Sequence, residues 1–137
     1  MDKESIKPIN PSRFECKIDI QPNDIDELGH VNNVVYLRWV QQVAAAHWNS
    51  KALDAISEKY LWVVLRHEID YLKPALLNDQ ITAYTWVSSM EGVKSVRHVK
   101  FSVRGNDLAC AKTVWCLLDA LTMKPKRIGD DIKSIFT

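Results

Sequence analysis

Three acids, a histidine, two amides and a glycine crowd into residues 24–33: Asp24, Asp26, Glu27, Gly29, His30, Asn32 and Asn33. A carboxylate such as Asp26 can take a proton from water or attack a carbonyl itself. The segment stands immediately before a long run with helical spacing. The first turn of a helix presents unpaired backbone N–H groups and about half a positive charge, which together can hold an oxyanion. The same residue types also make good turns and N-caps, and starting a helix is the commoner fate of such a cluster. Types and spacing alone favour capping over catalysis.

Other chemistries find less support. Asp24, Asp26 and His30 lack a second histidine at ligand spacing, and His47, His67 and His98 occur singly, so no metal is expected. Cys16, Cys110 and Cys116 form no CxxC pair and sit in apolar segments, which reads as reduced core thiols of a cytosolic protein. Ser88-Ser89 lacks the glycine-flanked turn of a hydrolase elbow. No glycine-rich phosphate loop occurs, and no cofactor is expected. His67 falls on the apolar side of its strand pattern and reads as a core or interface histidine.

The elements that must position the 24–33 cluster follow from periodicity. Residues 14–21 alternate apolar and polar strictly, the mark of a strand with one buried face. Residues 34–48 read as a helix whose polar stripe is Arg38, Gln41, Gln42, Ala45 and Asn49. The rest of its circumference is apolar or small, so other structure must wrap it. A short helix is expected near 51–59, then strands over 61–72, 80–89, 93–104 and 108–120, with turns at Glu91-Gly92 and Gly105-Asn106-Asp107. In the first of these, Val63, Leu65, Ile69 and Tyr71 share the odd, apolar parity, and Pro74 ends the strand. Alternation slips between Val96 and Val99, which suggests a bulge. A short helix is expected in the tail, 124–137. The class is α+β: an antiparallel sheet of about five strands curled around one long helix, with a sheet edge or face docking on a second subunit.

Length and charge narrow the function. The chain has 137 residues, with 18 basic and 17 acidic side chains and a net charge of +1, so no phosphate-seeking field arises and a nucleic-acid binder is disfavoured. Residues 1–12, with Pro8 and Pro11 and no apolar period, read as an N-terminal arm, and 13–137 as a single domain. No apolar run approaches the roughly 18 residues of a membrane span. The charged N-terminus lacks the apolar stretch of a signal peptide, and a cytoplasmic location is expected.

The string DIDELGHVNNVVYLRW resembles the active-site signature of the hotdog-fold acyl thioesterases, in the branch of the 4-hydroxybenzoyl-CoA and long-chain acyl-CoA thioesterases. Its HVNNVVYLRW part is also similar to the acyl-ACP thioesterases, and RHEIDYLKPALLND at 66–79 resembles the strand and turn that follow the hotdog helix. The resemblance covers residues 13–130. It implies a hotdog fold, a homodimer or homotetramer, and hydrolysis of an acyl thioester of CoA or acyl carrier protein.

By the same resemblance Asp26 is the catalytic carboxylate, nucleophile or general base. The peptide N–H near Asn33 polarises the thioester carbonyl, and His30 matches the histidine of the acyl-ACP branch. Gly29 permits close backbone approach at the turn and binds substrate together with Asn32, while Val35, Tyr36 and Trp39 line the acyl tunnel or simply form core. Two positions depart from the pattern. Leu28 stands where the acyl-ACP branch has an asparagine, and Gln41 stands where many bacterial relatives have a glutamate. Lys94, Arg97, Lys100 and Arg104 could meet CoA phosphates, although a solvated strand face is the commoner origin of such cations. The alternatives are a non-catalytic acyl-CoA-binding hotdog module and a hotdog hydratase, the latter lacking its usual histidine pattern.

Overall fold

Apolar positions spaced by three and four residues along the helix, and by two along the strands, decide which surfaces meet. The computed structural model describes residues 13–136; the arm expected over 1–12 lies outside the described residues. Strand β1 spans Phe14–Ile18, helix α1 Asn33–Lys51, helix α2 Asp54–Ser57, and strand β2 Tyr60–Tyr71. Strands β3, β4 and β5 span Ile81–Glu91, Lys94–Val103 and Asn106–Asp119, and helix α3 spans Asp130–Lys133. The five strands form one antiparallel sheet in the order β1-β3-β4-β5-β2.

Helix α1 lies across one face of this sheet. Val35, Tyr36, Trp39, Val40 and Val43 pack into a core shared with Ala83, Val99, Phe101, Ala109 and Ala111. Small alanines on β3 and β5 leave room for Trp39, which meets Tyr36 and Phe101 at ring-centroid distances of 5.0 and 5.8 Å. Truncating Trp39 to alanine would cost about 3–5 kcal/mol. The expected polar stripe, Arg38, Gln41, Gln42, Ala45 and Asn49, is exposed. A second cluster, built on Tyr60, Leu117, Ile128, Ile132 and Phe136, seats the tail and α3 beyond the helix's C-terminal half. This is the hotdog architecture: α+β, with one long helix held by a curled sheet.

Three details differ from the sequence pattern. The bulge lies on β3, where Ser88 is the extra residue between the pairs Val87–Arg97 and Ser89–Val96. From Lys94 to Phe101 strand β4 alternates without a break, with Ser95, Arg97, Val99 and Phe101 all buried; its register against β5 shifts only afterwards, between Phe101 and Ser102. The apparent slip at Val96–Val99 therefore comes from an arginine on the inner face and a valine on the outer one. On β2 another register shift, between Val64 and Arg66, reverses the parity along the strand. Trp62 consequently packs inward against Trp48. Leu61, Val63 and Leu65 stay exposed instead of forming core. Of the thiols, Cys116 is buried while Cys16 and Cys110 are half-buried, Cys16 on the edge strand β1 and Cys110 between Asp70 and Lys100 of its two neighbouring strands.

The β4–β5 hairpin turns at Arg104-Gly105 and not over the expected Gly105-Asn106-Asp107, since Asn106 and Asp107 already belong to β5. Arg104 and Gly105 both have positive φ, 50° and 79°, the requirement of a tight turn that matches the right-handed twist of its strands.

Candidate active site

The 24–33 segment folds as a small hairpin pinned to the start of α1. Ile25 and Val31 form an antiparallel bridge. The Asp26 N–H donates to the His30 carbonyl at 2.8 Å, and the Gly29 N–H donates to the Asp26 carbonyl at 3.0 Å. Gly29 closes the tip with φ +82°, a conformation in which any Cβ is strained although nothing stands within 4 Å of one. The loop is then tied down from both sides: Val31 N–H donates to Ala75 O and Asn32 N–H to Asp24 O, each at 2.8 Å.

The two aspartates play different parts. Asp24 is buried and its carboxylate is fully engaged, accepting from Arg38 Nη2 at 2.8 Å and from the Gln21 N–H at 2.9 Å. Burial by itself would raise this carboxyl, but the Arg38 bond, the Gln21 N–H and the Arg38 charge together hold it below the usual range. Asp26 is half-buried and accepts from the N–H groups of Leu28 and His30, at 2.9 and 3.3 Å, both through Oδ1. Its Oδ2 accepts no bond among the described residues. One carboxylate oxygen builds the turn and the other is unengaged among the described residues.

Helix α1 begins with a side-chain cap, the Asn32 Oδ1 accepting from the Val34 N–H at 3.1 Å. The Val35 N–H is also taken, by the Asn32 carbonyl at 2.9 Å. The Asn33 N–H has no acceptor among the described residues, so the positive end of a 19-residue helix leaves one donor open. From the far end of β2, the Tyr71 hydroxyl donates to the Asn33 carbonyl at 3.0 Å and braces this first turn. Tyr36, below it, is raised to about 12 by burial and then by Tyr71 and Asp79, and stays a neutral phenol.

These groups wall one cavity of about 400 Å³. Asp26, His30, Asn32, Asn33 and Tyr36 all line it. Gly29 shapes the turn without being a wall residue, and Val35 and Trp39 lie in the core beneath it. Tyr71, Lys73 and Leu28 are wall residues that the sequence reading did not select. The only signal for Tyr71 and Lys73 was their place between a strand pattern and Pro74. Gln41 lines a different cavity, further along the helix. Among the described residues, no three His, Cys, Asp or Glu side chains gather as a metal site would require. Likewise, no described helix is long and apolar enough to cross a membrane.

The acyl-CoA thioester hydrolase YbgC of Escherichia coli is 25% identical over 134 residues, covering 93% of this chain and 98% of YbgC. A Mycobacterium tuberculosis protein is 26% identical over 108 residues, which are 79% of this chain but only 42% of that longer relative. Among solved structures, a Thermus thermophilus thioesterase complexed with coenzyme A and zinc superposes with a TM-score of 0.77 at 24% identity, over 88% of each chain. A 1,4-dihydroxy-2-naphthoyl-CoA thioesterase from Synechocystis gives a TM-score of 0.77 at 15% identity, over 90% of this chain and 95% of that one. At such identities the structural likeness establishes the fold. The sequence profile of the acyl-ACP thioesterase N-terminal domain matches residues 11–136, nearly the whole length, and the chain belongs to that family.

Proposed function

We propose that this protein hydrolyses an acyl thioester, with the thioester carbonyl directed at the Asn33 N–H and Asp26 supplying the nucleophilic or basic step. The observation that carries the reading is that an open helix N-terminal donor and a half-engaged carboxylate line the same cavity. As the tetrahedral intermediate forms, negative charge gathers on the former carbonyl oxygen. A preorganised donor there is worth about 10²–10³ in rate. Asp26 Oδ2 is free to accept a proton from water or to attack, while Oδ1 holds the carboxylate in place. His30 and Asn32 border the reacting centre, and Tyr36 and Leu28 give the cavity its apolar side.

Coenzyme A as the handle is supported by the name of the Escherichia coli relative and by the coenzyme bound to the Thermus thioesterase. Acyl carrier protein as the handle is supported by the family to which the chain belongs. A dimer or tetramer is supported by β2, a 12-residue edge strand with Leu61, Val63 and Leu65 exposed. The three free cysteines suit a reducing, cytoplasmic setting.

The test is a free-thiol assay over acyl-CoAs of graded length, aromatic acyl-CoAs and an acyl-ACP. Saturable thiol release from one class is the expected result. Saturable binding with no thiol release would replace the proposal by a non-catalytic acyl-binding module.

A further inference from the structure

Arg97 lies on the inner face of β4, between Ser95 and Val99, and is only 6% exposed. The ion pairs among the described residues are Arg38–Asp24, Arg66–Glu68 and Lys100–Asp107, and Arg97 belongs to none of them. Its hydrogen bonds both leave from Nη1, to His47 Nδ1 at 2.9 Å and to Thr85 Oγ1 at 3.0 Å. Both acceptors are neutral. Thr85 donates its own proton to the His98 carbonyl at 2.8 Å, which turns its lone pairs to the arginine. His47, accepting at Nδ1, carries its proton on Nε2, which is buried without an acceptor. The Phe136 ring, 5.4 Å from the guanidinium carbon, adds a cation–π contact.

No carboxylate faces this buried cation in any ion pair among the described residues, so its charge is solvated by neutral groups alone. Nη2 and Nε find no acceptor among the described residues. Burial brings Arg97 down to about 10, which leaves it fully charged at neutral pH.

The same side chain walls a cavity of about 490 Å³, bounded by Ala45 and Trp48 of α1 and by Tyr60, Trp62 and Trp115 of the sheet. Trp115 holds its indole N–H buried and unpaired. This cavity shares no wall residue with that of Asp26. Ala45 stands about 18 Å along the helix axis from Asn33, at a rise of 1.5 Å per residue. It is a separate site: a cavity with three tryptophans in its wall, Ser57 and Ser95 beside them, and one unneutralised guanidinium.

We propose that this cavity binds the carboxylate of a small organic acid with a flat, apolar body. The carboxylate takes paired N–H···O bonds from Nη2 and Nε, the geometry that suits an arginine fork. The body lies among the tryptophans. A single cation in apolar surroundings matches a monoanion better than a phosphate dianion, whose second charge would stay unpaired. The carboxylate can belong to a free acid or to the distal end of an acyl group, and the chemistry at Arg97 is the same.

The test reads tryptophan fluorescence, since three of the chain's five tryptophans wall the cavity. Benzoate and benzamide, nearly equal in size, differ in charge. Benzoate is expected to quench saturably and to bind at least ten-fold more tightly than benzamide. Ala45→Phe changes an exposed helix position and fills the chamber, so it should abolish binding with the circular dichroism spectrum unchanged. Arg97→Gln should weaken benzoate at least ten-fold and leave benzamide unaffected. If that variant does not fold, the Ala45 variant still decides. In the second arm, thioether analogues of acyl-CoAs with a distal carboxylate are compared with methyl-ended ones of equal length. A charge preference there that Ala45→Phe removes, with benzoate silent, places the carboxylate on the acyl chain. The proposal is overturned by equal binding of benzoate and benzamide, by benzoate binding that survives Ala45→Phe, or by no charge preference in either arm.

Discussion

Asp26 and His30 hold each other in both directions: the Asp26 N–H donates to the His30 carbonyl at 2.8 Å, and the His30 N–H donates to Asp26 Oδ1 at 3.3 Å. Turn-building and catalysis are therefore not competing assignments for this carboxylate. Asn at position 26 keeps an oxygen acceptor for the turn but loses the charge and the base. Asp26→Asn should lower kcat by about 10²–10⁴. Its stability cost should stay near that of a weakened cap, at most about 1–2 kcal/mol.

Asp24→Asn is expected to do the opposite. It breaks the Arg38 ion pair and loosens the Gln21 turn, but Asp24 is not a wall of the cavity that Asp26 lines. The melting temperature should fall, corresponding to about 1–3 kcal/mol for a buried charged hydrogen bond, with turnover within a few-fold of the parent. Equal, small effects on turnover at both positions would remove Asp26 from the mechanism.

Tyr71→Phe removes only the hydroxyl that braces the Asn33 carbonyl. The hydrogen bond itself contributes about 0.5–1.5 kcal/mol to stability. Since the open donor belongs to the same helical turn, kcat should fall about three- to ten-fold while KM moves less, the signature of a transition-state interaction. A change confined to the melting temperature would make Tyr71 a purely structural brace.

His47 makes stability depend on pH. Burial, then the neighbouring charges of Arg97 and Lys51, push it down to about 4. The unfolded chain binds the proton near pH 6.5, so its contribution is fully present above that value. It is lost as the pH falls towards 4, about 3 kcal/mol in all. Urea midpoints should therefore drop between pH 7 and pH 4.5 more steeply in the parent than in His47→Gln. Parallel slopes would mean that His47 takes up its proton without unfolding.

The exposed row Leu61, Val63 and Leu65 stands on an edge strand whose outer backbone is unpaired among the described residues. Light scattering at micromolar concentration should give a dimer or larger assembly, with an interface above about 1,000 Å². Val63→Asp should shift it towards monomer. A fully active monomer would exclude assembly through this edge.

Periodicity and residue type alone determined the strand-and-helix frame, because both depend on neighbours close in sequence. Strict alternation marked β1, the Gly105 turn marked the β4–β5 hairpin, and the 24–33 cluster marked the helix start, while Asp26, His30 and Asn33 were singled out by the resemblance of that stretch to a family signature. What stayed hidden depends on pairs far apart in sequence. Leu65 and Ser88 read as ordinary strand residues, and only their pairing with β5 and β4 makes them the points where register shifts. Tyr71 reaches the helix start across 38 residues. Arg97, a cation among the cations of one hairpin, looked solvated in the local pattern. His47, 50 residues away, and Thr85, 12 away on β3, receive it inside the fold. Whether a polar side chain is buried is settled by which acceptors the tertiary structure brings to it, and no local spacing encodes that.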